Sequence, residues 1–250
     1  MDFVCTSHIG MVRKNNEDYC KGEIIEICEG KEVGVFAIAD GMGGHNKGEV
    51  ASQLAVDNII EFFNNNFDNN EEIKTEYLDD LIIQAYNTVN NLIYDKAQDD
   101  ATYDGMGTTL TMAIVYENKA YIANVGDSRC YLYKGAGKLE KITVDHSIVE
   151  EYVKANIITE EEARIHPDRN KITRAVGTEP VVIVDVFTVE LEEGNKLLLA
   201  TDGLTGAVEK YRIENVLSMD SELNDIADNL VELANEQSGK DNVTVIIVSI

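Results

Sequence analysis

Acidic residues stand at the ends of several apolar runs in this sequence. Asp40 follows residues 35–39 and precedes Gly41, and Asp202 follows residues 197–201 and precedes Gly203. Asp127 follows the run 120–125 and Gly126, Asp241 comes just before the run 243–248, and Glu17-Asp18 follows Arg13-Lys14-Asn15-Asn16. Any one of these alone reads as a turn, because Asp-Gly is a common turn pair. If the run ends meet at one edge of a fold, four or five carboxylates converge and repel one another. Few cationic side chains lie nearby, so bound divalent cations are the natural remedy. Hard oxygen donors without a Cys or His cluster suit Mn²⁺ or Mg²⁺ rather than Zn²⁺ or Cu²⁺. No EF-hand loop pattern is present. A pair of such ions can activate water and clamp an anionic substrate, and Arg13 could offer a bidentate fork to a phosphoryl group.

The elements that must position these acids are legible from periodicity. Ala51, Leu54, Ala55, Ile59, Phe62 and Phe63 share one helical face, as do Leu78, Leu81, Ile82, Ala85, Val89, Leu92 and Ile93. A third amphipathic helix carries Leu223, Ile226, Ala227, Leu230, Val231 and Ala234. Residues 35–39, 110–115, 120–125, 181–186, 196–200 and 243–248 are short and rich in β-branched residues, as strands are. Several are apolar at every position, so both faces are expected to be buried. Strands, two helices, many strands, helices and a last strand form the α+β class rather than a strictly alternating parallel sheet. Two packed antiparallel sheets with helices outside would bury both faces of each strand.

With two prolines and no Gly/Ser-rich linker in 250 residues, nothing divides the chain, and residues 1–250 read as a single domain. The patch Asn64-Asn65-Asn66-Phe67-Asp68-Asn69-Asn70 reads as a solvated loop between the first two helices. Residues 148–176 break the pattern with short helical pieces, His166-Pro167 and the basic residues Arg164, Arg169, Lys171 and Arg174, and are expected to form a flap over a site.

Composition narrows the function classes. The chain holds 21 Lys+Arg against 46 Asp+Glu, a formal charge of −25, which disfavours nucleic acid and anionic membranes and favours cations. Cys5, Cys20, Cys28 and Cys130 are scattered, without a C-x-x-C pair, so neither a disulfide scaffold nor a thiolate zinc site is expected. The start is polar and no run approaches the ~20 apolar residues of a membrane span, so a cytoplasmic location with reduced thiols and a monomeric state are expected.

Eight motifs then carry a family resemblance: Arg13-x-x-Asn16-Glu17-Asp18, Ala39-Asp40-Gly41-Met42-Gly43-Gly44-His45, Gly105-Met106-Gly107-Thr108-Thr109, Asn124-Val125-Gly126-Asp127-Ser128-Arg129, Thr143-Val144-Asp145-His146-Ser147, Thr173-Arg174-Ala175-Val176-Gly177, Thr201-Asp202-Gly203-Leu204 and Gly239-Lys240-Asp241-Asn242-Val243-Thr244. In this order, over about residues 5–248, the chain resembles the metal-dependent Ser/Thr protein phosphatases of the PPM or PP2C family, in their compact bacterial form. The resemblance implies a four-layer α-β-β-α sandwich. It also implies hydrolysis of phosphoserine and phosphothreonine by in-line attack of a metal-bridging hydroxide, with no covalent phosphoenzyme. By position, Asp40 would bridge two Mn²⁺ or Mg²⁺ ions and the Gly41 carbonyl would bind one of them. Asp202 and Asp241 would complete the other shell, and Glu17 or Asp18 would bind directly or through water. Asp127, with Asp202, would help hold a third, weaker ion, and Arg13 would hold the substrate phosphate. Phosphorylated proteins are the implied substrates, and a membrane-bound Ser/Thr kinase is a plausible opposing partner.

One position departs from the family. Many eukaryotic relatives carry His directly after the Asp-Gly pair, where this chain has Met42, which cannot donate a proton. His45 is the nearest substitute as general acid; it equally suits a helix start, and a metal-bound water could protonate the leaving group instead. His146 reads as fixing a turn near the flap. Gly126-Asp127-Ser128 superficially resembles serine-hydrolase motifs, but no G-x-S-x-G elbow is present. Gly41-Met42-Gly43-Gly44 lacks the Gly-Lys-Ser/Thr ending of a phosphate loop.

Overall fold

The computed structural model describes all residues except 28–29, 44–46, 68–72 and 136. His45 and Cys28 therefore lie outside the described residues. One sheet has the order β1 (Asp2–His8), β11 (Val243–Ser249), β10 (Lys196–Ala200), β7 (Arg129–Tyr133), β8 (Leu139–Lys141). The other has the order β2 (Asp18–Glu26), β3 (Glu32–Met42), β5 (Leu110–Tyr116), β6 (Lys119–Val125), β9 (Asp185–Glu190), with the short β4 (Gly107–Thr108) on the end of β3. Every pairing is antiparallel.

Period-two alternation divides each central strand between two cores. Val33, Val35, Ala37 and Ala39 of β3 face helices α1 (Lys47–Phe67) and α2 (Leu78–Asp99), whereas Phe36 and Ile38 face the opposite sheet. Val243, Val245 and Ile247 of β11 face the C-terminal helices, and Ile246 and Val248 face the inter-sheet core. Those helices are α5 (Asp202–Thr205), α6 (Lys210–Leu217) and α7 (Leu223–Gln237). The layers are thus helix, sheet, sheet, helix, which accounts for strands apolar at every position.

Two local expectations are corrected. Asn64, Asn65 and Asn66 lie in the last turn of α1 rather than in a loop; helix propensity there is weak, but Phe63 and Phe67 are buried and hold the turn down. Residues 181–184 are not strand: Val181 and Ile183 are exposed, and pairing with β6 begins only at Asp185. Residues 148–176 carry two short helices, α3 (Ile148–Lys154), capped by Ser147, and α4 (Glu160–Ile165), with a Thr159–Glu162 capping box. The isolated bridge Ser147↔Ile172 joins the two ends of this segment to each other, and Thr108↔Val176 ties its far end to β4.

Phe36 is fully buried between the sheets, edge-on to Phe3 at 5.1 Å. Phe36→Ala is expected to cost about 3–5 kcal/mol of stability, read as a lower midpoint with unchanged slope in urea unfolding.

Candidate active site

The sheet register gathers the acids. Asp18 at the start of β2 is the cross-strand partner of Asp40 near the end of β3, so two carboxylates stand opposite each other where like charge is unfavourable. Asp202 leaves the end of β10, and Asp241 enters β11 beside it, the two strands joined there by Thr201 N–H donating to Thr244 O at 3.1 Å. Asp127 leaves the end of β6 in the turn to β7. Arg13, Glu17, Asp40, Gly41, Asp127, Asp202 and Asp241 line one cleft of about 310 Å³.

Neutral groups fix the acids. The backbone N–H of Asp40 donates to Thr109 Oγ1 at 2.8 Å, and its carbonyl accepts from Thr109 N–H at 2.9 Å and Thr108 Oγ1 at 2.9 Å. Thr201 Oγ1 donates to Asp18 Oδ2 at 2.8 Å, while the buried Asp18 Oδ1 accepts no hydrogen bond. Gly41 sits where β3 meets the start of α1. A Cβ there would collide with Gly48 O and come within 2.8 Å of Glu17 O, so only glycine permits the approach.

Burial and crowding raise the acids' proton affinity. Burial, partly offset by the Thr244 and Thr201 hydroxyls and reinforced by Asp202 and Asp241, pushes Asp18 up to about 7. Burial, then Asp202 and Asp145, push Asp127 up to about 8. Asp40 lies well above the usual carboxylate range through burial and the charges of Asp18, Asp202, Asp127 and Asp241. Asp202 is raised by burial and Asp241, despite a hydrogen bond shared with Asp40.

Arg13 is ion-paired with Asp241 at 2.9 Å, and this contact raises its own pKa above the ordinary guanidinium value. Its loop is stapled by Asn242, a residue the sequence offered only as the neighbour of Asp241. Asn242 Oδ1 accepts from Glu17 N–H at 2.8 Å, and Nδ2 donates to Ile9 O at 2.9 Å and Asn15 O at 3.0 Å. A buried amide surrounded by backbone groups is the kind of role that pattern reading cannot assign.

His146 does fix a turn. Its Nδ1 accepts from Gly126 N–H at 3.1 Å, and Nε2 meets Asp185 Oδ2 at 3.2 Å. Burial lowers its pKa below the usual range, with Arg174 adding to the effect against Asp185. Ser128 is fully buried and shares a hydrogen bond with Thr109 at 2.8 Å, which removes it as a nucleophile. Asn170 and Ile172 bring residues 148–176 to the cleft, and Asn170, Asp127 and Asp202 also line an adjoining cavity of about 330 Å³. Arg164 and Arg169 face that cavity, whereas Arg174 pairs with Asp185 at 2.8 Å and Lys171 with Asp168 at 2.6 Å.

Among the described residues, no three His, Cys, Asp or Glu side chains yet close on a common point as a finished metal cage. The donor set nevertheless fits a hard divalent cation. It consists of carboxylates and the Gly41 backbone in one cleft, with the charges of the acids raising one another's pKa; Asp18 does not line the cleft but faces Asp40 from the neighbouring strand, with one buried oxygen, Oδ1, without a hydrogen-bond donor.

The family model for protein phosphatase 2C matches residues 6–244. The chain is 36% identical to protein phosphatase PhpP of Streptococcus pneumoniae strain D39 over 250 residues, spanning 100% of this chain and 97% of that protein. It is similar to the crystal structure of serine/threonine phosphatase Stp1 from Staphylococcus aureus, with a TM-score of 0.88 and 36% identity over 100% of this chain and 94% of that one. It is also similar to the catalytic domain of the phosphatase PstP in complex with two manganese ions, with a TM-score of 0.82 and 33% identity over 99% and 97% of the two chains.

The raised acids give a pH signature. Between the ordinary Asp value of 3.8 and about 7 to 8, the folded protein binds more protons than the unfolded chain through Asp18 and Asp127. Their contribution is present in full below 3.8 and is lost as pH rises through 7 to 8. Chelator-treated protein is therefore expected to melt at a higher temperature near about pH 6 than near about pH 9 in calorimetry. A flat or reversed profile would contradict the crowded, cation-free cluster.

Proposed function

We propose, from the premise that this chain belongs to the protein phosphatase 2C family and is a serine/threonine protein phosphatase, that the acid-lined cleft is its metal-binding active site. The observation that carries the reading is the convergence of acids from the ends of β2, β3, β6, β10 and β11 on one edge of the sandwich. Asp18, Asp40, the Gly41 carbonyl, Asp202 and Asp241 would hold two ions, Mn²⁺ or Mg²⁺, and Asp127 with Asp202 would hold a third, weaker one. When bound, such ions supply a nucleophile at neutral pH and neutralise phosphoryl charge.

The chain's own residues do the rest. Arg13 offers its guanidinium to the phosphate of phosphoserine or phosphothreonine, in competition with Asp241, its partner in the structure. The Asn242 staple sets where that guanidinium can reach. Thr108 and Thr109 fix the Asp40 backbone, so its carboxylate is presented without local rearrangement. The leaving serine or threonine oxygen needs a proton that Met42 cannot give, and we assign the donor role to His45, on the short segment between β3 and α1. The substrates are phosphorylated proteins, and a Ser/Thr kinase is the partner whose work the enzyme reverses. No helix among the described residues is long and apolar enough to cross a membrane. We further propose a cytoplasmic location, with which the unbridged thiols of Cys5, Cys20 and Cys130 agree, and a monomeric state.

Chelator-stripped protein is expected to be inert toward a phosphothreonine peptide, to recover with Mn²⁺ or Mg²⁺ and not with Ca²⁺, and to act less well on phosphotyrosine. Asp40→Asn and Asp202→Asn should each lose at least about a hundredfold in kcat while remaining folded, and Arg13→Ala should act mainly on KM. His45→Ala should lower kcat by about a hundredfold and flatten the alkaline limb of the pH profile. Turnover by Asp40→Asn or Asp202→Asn at the native rate would sink the metal-site reading.

The charge of −25 should also steer substrate choice. At low ionic strength a basic phosphopeptide is expected to show a higher kcat/KM than an acidic one of equal length, and the gap should close as salt is added. Equal values at low salt would refute steering.

A further inference from the structure

We infer that Cys5 and Cys20 are a modification site, a thiol pair that a peroxide closes to a disulfide between β1 and β2, slowing the enzyme. The inference rests on the reading above in one respect, that the loop between these cysteines carries part of the active site.

β1 and β2 are edge strands of different sheets, and they pack directly against each other along one open side of the sandwich. Their alignment is fixed by Phe3 over Gly22, where a Cβ would stand 2.6 Å from the Phe3 ring. Two residues further along each strand, on the same faces, come Cys5 and Cys20, both packed against the inter-sheet core. A further two residues along come Ser7 and Asp18, and Thr244 lies between them, sharing a hydrogen bond with Ser7 at 2.7 Å. The thiol pair is thus one rung of a ladder whose next rung is the buried Asp18, the cross-strand partner of the cleft acid Asp40.

Both cysteines are unbridged and half-buried, on the two strands that edge the sandwich. Cys20 stands two residues from the buried Asp18, whose charge disfavours a second anion, so Cys5 is the attacking sulfur. Cys130 is fully buried and its pKa is pushed far up by burial, so it is inert. One disulfide between facing sheets is a geometry that immunoglobulin domains use. Here Gly22 removes the side chain that would hold the strands apart.

The chemistry balances. The Cys5 thiolate attacks one peroxide oxygen, the O–O bond breaks, and a sulfenic acid and hydroxide result. The Cys20 sulfur then attacks the Cys5 sulfur, the S–O bond breaks and an S–S bond forms. The hydroxyl leaves as water with the Cys20 proton. Two thiols lose two electrons and hydrogen peroxide becomes two waters. The bridge closes a covalent loop that contains Arg13, Glu17 and Asp18, and it ends two residues from Asp18 on β2. Drawing the strands together at that rung displaces the acid beside it.

The test uses the full chain carrying Cys28→Ser, stripped of metal and treated with hydrogen peroxide. Peptide mass spectrometry is expected to find Cys5 joined to Cys20, with the link absent in Cys5→Ser and after dithiothreitol. Once peroxide is removed, the bridged protein should bind Mn²⁺ several-fold more weakly by calorimetry and turn over a phosphothreonine peptide several-fold more slowly. Dithiothreitol should restore both, and Cys20→Ser should be unaffected by the treatment. Absence of the link, or a linked protein with unaltered Mn²⁺ affinity and turnover, overturns the inference. The link is mapped without metal or substrate, so its failure is distinct from a protein that hydrolyses no phosphothreonine in either redox state.

Discussion

Like charges held close together are the constraint around which this molecule is built. Asp18 and Asp40 face each other across a strand pair, and Asp202, Asp241 and Asp127 arrive from three other strand ends. A sheet optimised only for stability would not place two carboxylates in register. The surroundings counter the repulsion with neutral hydrogen-bonding groups and two guanidinium groups, one of them paired with an acid of the cluster itself. The Thr201 hydroxyl donates to Asp18, the Thr109 hydroxyl accepts from the Asp40 backbone N–H, and the Arg13–Asp241 pair and the Arg129–Asp145 pair at 2.6 Å stand at or beside this edge. Fixing backbones while leaving carboxylate oxygens free is how a scaffold keeps donors ready for a cation.

The two sheets contribute unequally to that edge. The sheet that contains β3 supplies Asp18, Asp40, Gly41 and Asp127, and the other sheet supplies Asp202 and Asp241. The cleft is therefore a seam between layers, and small relative shifts of the sheets act on it directly. Asn242 crosses the seam by bonding its amide to Glu17, Ile9 and Asn15, and Gly41 lets the β3 end press against the start of α1. Across the cleft, His146 ties the Gly126 turn to Asp185, which in turn holds Arg174 at the far end of the residues 148–176.

The long apolar runs made much of this legible. β3, β5, β6, β10 and β11 announce themselves because they are buried on both faces, and the acids at their ends stand out by contrast. β1, β2, β7 and β8 escaped notice. β2 mixes Lys21, Gly22 and Glu23 with apolar residues, because an edge strand leaves much of its length half-exposed. β8 is three residues long, too short for any period to register. The asparagines at 64–66 mimic a loop, yet Phe67 beyond them finds a buried place and carries the helix through. The acids of the cleft could be named from sequence, but the ion pair that occupies Arg13 and the staple at Asn242 depend on contacts across more than two hundred residues.

The order of strands along the chain has a consequence for the birth of the enzyme. β11 comes last in chain order among the described strands, yet it lies inside its sheet between β1 and β10, and Asp241 and Asn242 sit at its threshold. A nascent chain still lacking that strand has no partner for β1, no staple for the Arg13 loop and an unfinished ring of acids. Competence therefore waits for that strand, because a chain that has not yet placed β11 has neither a closed sheet nor a complete set of acids.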